Sequence, residues 1–251
     1  MATVTILGCA HSIPDDNHDV SHFAVHAENN GILVDSGTNP TVRLAKAGIA
    51  YDSISDLILT HFHPDHITGA PLMLMNMWLL GREKPLHIHA LRHCLQRFNQ
   101  LMNAYDWQDW PGLFEVNLHE IEPYERAPVL TNADFAVVAS PGDHMIPVIG
   151  LQITDKSSGR ILAYSSDTAP CDSILRLAAG ADILLHEATN TGIGHSSAAQ
   201  AGELASRALV GTLYLIHYRA GNTEESNLLS EAQSQFNGPV KLARDFMTIE
   251  L

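Results

Sequence analysis

The short apolar run Leu57-Ile58-Leu59 ends in Thr60-His61-Phe62-His63-Pro64-Asp65-His66. Three histidines and a carboxylate thus crowd the end of a predicted buried strand. Neutral imidazoles and a carboxylate are the donors that borderline divalent ions such as zinc prefer. If the chain is extended there, His61 and His63 reach one ion together, because residues i and i+2 share a face. Asp65 and His66 lie past the Pro64 turn, displaced enough to serve a second ion. Donors at a strand end are held by a rigid sheet, which is how a site gains precision. A histidine-rich surface loop is the plainer alternative, but it does not require this order of residues at that place.

The run is the signature of the metallo-β-lactamase superfamily, and the chain resembles that superfamily throughout. Its other expected ligands occur in order. His144 ends Ser140-Pro141-Gly142-Asp143-His144, after the apolar Phe135-Ala136-Val137-Val138. Asp167 follows Ile161-Leu162-Ala163, and His217 ends Leu213-Tyr214-Leu215-Ile216. The resemblance implies that His61, His63 and His144 hold one metal, that Asp65, His66 and His217 hold another, and that Asp167 bridges them. It implies two divalent ions, Zn²⁺ first, with Mn²⁺ or Fe²⁺ as alternatives. It also implies an α+β fold: a four-layer αββα sandwich of two mixed sheets flanked by helices.

Periodicity by itself says only α/β or α+β. Alternation and turn residues predict strands at 3–8, 22–27, 31–35, 57–60, 86–90, 115–119, 135–140, 149–154, 160–164, 183–186 and 212–217. Helices are expected at 40–47, 70–80, 91–104, 174–179, 197–209 and 224–236. Met73, Met75 and Met77 are expected to pack a helix into the core. The expected ligands run from residue 61 to residue 217, so one domain over 1–251 is expected.

The formal charge is −14, and the 14 Lys and Arg residues are scattered. Binding to a long nucleic acid rests on neutralising phosphates, so that partner is not expected. Cys9, Cys94 and Cys171 form no CxxC, which fits a reducing cytoplasm. The N-terminus lacks the pattern of a signal peptide, and the stretch 67–80 is too interrupted to span a bilayer.

Two further motifs point to a branch. His186-Glu187-Ala188-Thr189 resembles the His-Glu-Ala-Thr motif of ribonuclease Z and its relatives. His195-Ser196-Ser197 is similar to their His-Ser-Thr. The resemblance makes His195 a catalytic residue beside the metals. Glu187 is expected to orient His195, to support a metal-bound imidazole or to serve as a structural hydrogen-bond acceptor, and Asp65 is counted with the catalytic residues. Imidazole suits proton transfer near neutral pH. The structural alternative for His195 is a polar turn at a helix start, capped by Ser196.

There are departures from that branch. Ribonuclease Z carries a long arm that grips transfer RNA between the counterparts of His144 and Asp167, where this chain has only 22 residues. Its opening turn reads Gly8-Cys9-Ala10-His11 instead of Gly-Thr-Gly. After His217 comes Tyr218-Arg219-Ala220 instead of Ser-x-Arg-Tyr.

The expectation is therefore a dinuclear metal-dependent hydrolase of a small-molecule ester, a phosphodiester first. Alternatives are a carboxylic or sulfate ester, lactone or β-lactam hydrolase, and a non-catalytic binding protein on the same fold. Thr168-Ala169-Pro170 lacks the tyrosine that the lactonase branch places after its bridging aspartate. Arg219 is placed to meet a substrate anion or a surface carboxylate. His11 either borders the pocket or lies in a solvated loop. His87 and His89 share a strand face. The aromatic stretch Met102–Trp110 suits a lid, a homodimer contact or core packing.

Overall fold

The computed structural model describes residues 2–190, 192–220 and 225–251. Among the described residues, fourteen strands form two sheets of seven. The first sheet contains β1 (Thr3–Gly8), β2 (His22–His26), β3 (Gly31–Val34), β4 (Ile54–Leu59), β5 (Leu86–Leu91) and β6 (Val116–Ile121). The second contains β7 (Ala127–Thr131), β8 (Phe135–Pro141), β9 (Ile149–Asp155), β10 (Ile161–Tyr164), β11 (Ile183–Ala188), β12 (Thr212–Tyr218) and β13 (Val240–Leu242). The last strand, β14 (Thr248–Glu250), returns to pair with β1 at the edge of the first sheet. Strand order is β14-β1-β2-β3-β4-β5-β6 in one sheet and β13-β12-β11-β10-β9-β8-β7 in the other. Both sheets mix parallel and antiparallel pairs.

The helices are α1 (Pro40–Lys46), α2 (Pro64–Ile67), α3 (Gly69–Leu79), α4 (Arg92–Asn103), α5 (Asp172–Ala178), α6 (Ala198–Ala208) and α7 (Glu225–Gln233). Strand alternation decides the layering. Val4, Ile6, Ile32, Val34 and Ile58 point into a core shared with Phe135, Val137, Leu151 and Ile153 of the second sheet. Leu7, Leu33, Leu57, Leu59 and Ile88 point the other way, onto Met73, Leu74 and Met77 of α3 and Cys94 and Phe98 of α4. The second sheet likewise carries Ile174 and Leu177 of α5 and Ala201, Leu204 and Ala205 of α6. Helices thus cover both outer faces, as the αββα expectation requires. Phe23 on β2 meets Tyr164 on β10 edge-on at 5.0 Å across the sheet interface. On the outside, α6 approaches α7 closely because Gly202 has no side chain: a Cβ there would lie 2.4 Å from the Ala232 carbonyl.

Some expectations shift. Short β7, β13 and β14 were not anticipated. The helix expected over 224–236 begins at a residue outside the described ones and is described as Glu225–Gln233. Met73 and Met77 are buried as expected, whereas Met75 lines an apolar surface cavity with Leu72 and Trp78. A separate turn of helix, α2, precedes α3. His63 is extended at its N-cap, and Pro64 starts the turn.

The interval between His144 and Asp167 is the tight β9–β10 hairpin, paired from Thr154↔Ile161 to Leu151↔Tyr164, which leaves no room for an arm. Asp155 ties its turn. The carboxylate accepts bonds from Ser157 N–H at 2.9 Å and from the Ser157 and Ser158 hydroxyls at 2.9 and 2.7 Å. Burial raises the pKa of this group, but those donors outweigh it and hold it down to about 2. A depressed folded-state pKa means stability that is present above the unfolded carboxylate value and lost as pH falls through the folded one. Asp155→Ala is expected to lower unfolding free energy at pH 7 by on the order of 2 kcal/mol. Chemical denaturation of both proteins should converge between about pH 4 and pH 2; a constant difference across that window would refute this account.

Candidate metal centre

The centre lies where β3, β4, β8, β10, β11 and β12 end. Asp35 directly follows β3 and neighbours Thr60, because β3 and β4 run parallel. It is fully buried. Its carboxylate accepts from Thr60 N–H at 2.8 Å, from the Thr60 hydroxyl at 2.9 Å and from His66 Nδ1 at 2.8 Å. One side chain thus fixes the loop after β4 to the turn that carries Asp65 and His66. Asp35, Ser166 and His217 all have left-handed backbone, with φ of 60°, 52° and 51°. Such conformations cost energy in non-glycine residues and cluster where geometry is imposed by function.

The structure brings together all seven residues expected as ligands, in two overlapping groups. His61, His63, His144 and Asp167 place donor atoms within 4.8 Å of one another, as do Asp65, His66, Asp167 and His217. His63 Nδ1 lies 3.1 Å from His61 Nε2 and 3.0 Å from His144 Nε2. Asp167 Oδ2 lies 3.8 Å from His61 Nε2, 3.5 Å from His66 Nε2 and 3.4 Å from His217 Nε2. Asp65 Oδ2 lies 3.5 Å from His66 Nε2 and 3.4 Å from His217 Nε2. One carboxylate oxygen is therefore common to both groups.

The outward nitrogens are anchored. His144 Nδ1 donates to the Gly194 carbonyl at 2.7 Å. The Thr189 hydroxyl donates to the His217 carbonyl at 2.8 Å, so its oxygen accepts from His217 Nδ1 at 2.7 Å. His66 Nδ1 donates to Asp35. Each bond fixes a tautomer and leaves Nε2 directed at the centre, as outer partners of metal-bound imidazoles do. Neither Asp35 nor the role of Thr189 was foreseen. The signal for Asp35 was a polar residue ending an apolar run, Ile32-Leu33-Val34, like those before the expected ligands.

The electrostatics fit bound cations. Burial drives His61 well below the ordinary imidazole value. Burial opposes ionisation of Asp167, but His217 and His66 outweigh it and hold the carboxyl well below its usual range. Burial likewise disfavours charge on His66, yet Asp167 and Asp35 raise its pKa well above normal. Positive charge is thus demanded at this spot. His66 Nε2 and Asp167 Oδ1 are buried without a hydrogen-bond partner. Unsatisfied buried atoms of this kind are costly, and imidazole nitrogens with carboxylates are zinc-type donors.

Glu187 on β11 is fully buried. Its Oε1 accepts from Thr168 N–H and from His195 Nδ1, both at 2.9 Å, and its Oε2 from Thr189 N–H at 3.0 Å. With three donors engaged, Glu187 positions His195. Its bond to His195 is the main cause raising the imidazole's pKa, against burial. The His195 ring stacks at 5.9 Å on His217 and meets His144 at 4.9 Å. Helix α6 begins just beyond, capped by Ser197 through a reciprocal bond with Gln200. The cap is thus Ser197; the Ser196 hydroxyl instead donates to the Thr168 carbonyl at 2.7 Å.

Other singled-out residues fall as follows. His11 is buried, 6.5 Å ring to ring from His217. Arg219 is exposed. His87 and His89 share a face as expected, and His89 is buried against Asp56 at 2.8 Å. Met102 and Trp107 belong to the core, whereas Trp110 stacks on Trp78 at 5.2 Å beside the apolar cavity.

The sandwich, with its donors gathered at the strand ends, defines the class. The sequence profile of the beta-lactamase superfamily domain matches residues 30–218, and the chain belongs to that superfamily. Among relatives, ribonuclease Z of Methanothermobacter thermautotrophicus is 27% identical over 311 aligned positions, covering 100% of this chain and 97% of the relative. Ribonuclease Z of Mycobacterium bovis is 29% identical over 279 positions, covering 100% and 99%. Two solved structures share the fold. The metallo-beta-lactamase fold protein YhfI of Bacillus subtilis has a TM-score of 0.85 at 24% identity, covering 100% and 99%. Human tRNase Z, short form, has a TM-score of 0.81 at 23% identity, covering 99% and 98%. The protein is a metal-dependent hydrolase of ester bonds, with divalent ions implied by fold and donor cluster alike.

One expectation is corrected. A small-molecule ester as partner, with no long nucleic acid, conflicts with whole-length relatives named ribonuclease Z. The expectation rested on net charge and on the missing arm. Net charge averages the whole surface, whereas attraction at a cleft follows the local field.

Asp35→Ala should weaken metal binding about 10–100-fold, the usual effect of losing an outer partner. Competition with a chromophoric chelator measures it; unchanged affinity would remove Asp35 from this role.

Proposed function

We propose that the chain is a dinuclear phosphodiesterase acting on RNA. The observation that carries this reading is His195, held by buried Glu187 at 2.9 Å and set beside both donor groups. In this reading His61, His63 and His144 would hold one ion and Asp65, His66 and His217 the second, with Asp167 belonging to both groups. Bound there, two zinc ions supply Lewis-acid stabilisation to the entering and departing oxygens of a phosphodiester.

The chain's own groups do the proton work. Burial opposes charge on Asp65, but His217, 3.4 Å away, and His66, 3.5 Å away, outweigh it and hold the carboxyl below its usual range, and its side chain is partly open to the pocket. It is thus available to take a proton from the attacking water. His195 gives its Nε2 proton to the departing oxygen while Nδ1–H stays on Glu187, so the ring keeps its orientation. The raised pKa favours the protonated form that an acid requires.

Donor groups that draw on strands of both sheets support reading 1–251 as one hydrolase domain. Three free cysteines accord with a cytoplasmic home. No described helix is long and apolar enough to cross a membrane.

Elemental analysis is expected to give about two divalent ions per chain. His195→Ala should keep them and lose roughly 10²-fold or more in RNA hydrolysis. The loss should shrink with a p-nitrophenyl leaving group, which needs less protonation. Full metal content without cleavage of RNA would overturn the substrate class. Undiminished turnover in the alanine variant would overturn the acid.

A further inference from the structure

The loop after β1 is fastened to the end of β12. Ala10 N–H donates to the Asp19 carbonyl at 2.8 Å, and His11 N–H to the Tyr218 carbonyl at 3.0 Å. The Ser21 hydroxyl donates to the Ala10 carbonyl at 2.9 Å. This close passage needs Gly8, where a Cβ would lie 2.1 Å from the Val20 carbonyl. The backbone of His11 is therefore immobilised beside His217, one of the groups assigned to the metals.

The ring is fixed too. Ile13 N–H donates to His11 Nδ1 at 3.1 Å. A nitrogen that accepts carries no proton, so the proton of the neutral ring sits on Nε2. Among the described residues nothing is hydrogen-bonded to that Nε2–H. The residue is 8% exposed, yet Nε2 is not among the fully buried unpartnered atoms, so solvent reaches it. Asp65, His195, His217 and Arg219 all lie within electrostatic reach of the ring. The same loop contributes Ser12 and Pro14 to a cavity of about 290 Å³ that is also lined by Asp65 and Thr68. Among the described residues, a fixed donor without a hydrogen-bond partner thus stands 6.5 Å, ring to ring, from His217.

We propose that His11 is a substrate-positioning residue, whose Nε2–H binds a nonbridging oxygen of the phosphodiester drawn to the two donor groups. This rests on the phosphodiesterase reading above and adds a contact specific to this chain's opening turn. The geometry asks for a neutral donor here: a second proton on Nδ1 would face the Ile13 N–H.

His11→Leu and His11→Gln keep similar bulk, and only glutamine can replace the Nε2–H donor. Both would be made in the metal-loaded protein, with metal content and melting temperature checked first and expected to be unchanged. Inorganic phosphate, titrated calorimetrically, is expected to bind the leucine variant roughly 10–100-fold more weakly, the usual effect of losing a hydrogen bond to a charged group. KM for a short RNA should rise by a similar factor, with kcat less affected, and glutamine should restore most of both. Leucine matching the parent, or glutamine failing as badly as leucine, would overturn the assignment while leaving the phosphodiesterase reading intact. A parent protein that binds metal but does not cleave RNA would overturn both.

Discussion

Asp167 is a carboxylate with almost no access to water, flanked by His61 and His66 from the segment after β4 and by His217 of β12. An isolated buried carboxylate is among the most expensive groups a protein can hold, and it persists ionised only beside positive charge. Much of the site follows from meeting that demand. Burial disfavours charge on His66 and His217, yet Asp167 pulls the pKa of both upward. Asp35 in turn compensates His66. The residue before Asp167 and two of these partners, Asp35 and His217, accept left-handed backbone to be there. The sandwich supplies the rigidity that holds such a strained, charged arrangement together.

This arrangement explains why the ligands were legible and their supports were not. His61, His63, Asp65 and His66 are contiguous, so their spacing survives as a sequence pattern. His144, Asp167 and His217 each follow a short apolar run, a signal readable once the first four are recognised. Asp35 looks like an ordinary turn residue after a strand, and only the parallel pairing of β3 with β4 brings it to Thr60. Thr189 was visible as the last residue of a motif, but its bond to His217 depends on the parallel neighbours β11 and β12.

The layering came from the family resemblance; the individual long strands were legible for the same reason that the smallest were missed. Long alternating runs such as Val4-Thr5-Ile6-Leu7 carry their own periodicity. β13 and β14 have three residues each and exist because β12 and β1 offer unpaired edges. The cap of α6 was misplaced by one residue because Ser196 and Ser197 are chemically equal in sequence. Their partners decide: Gln200 for one and the Thr168 carbonyl for the other.

The acidic surface and the proposed RNA substrate are reconciled by distance. Charges farther apart than roughly 8 Å are largely screened at physiological ionic strength. A net charge of −14 spread over the surface therefore governs the approach of a polyanion more than the binding of one phosphate in the cleft. Inside, two divalent ions would add four positive charges against the four carboxylates of Asp35, Asp65, Asp167 and Glu187, so the cleft is relieved of the negative charge that the rest of the surface carries. In the proposed RNA hydrolysis, with no arm between His144 and Asp167 to grip a distant part of the RNA, binding would rest on groups within a few ångströms of the reacting phosphate. That places the burden of positioning on rigid local donors, and the fastened opening turn with its fixed imidazole provides one.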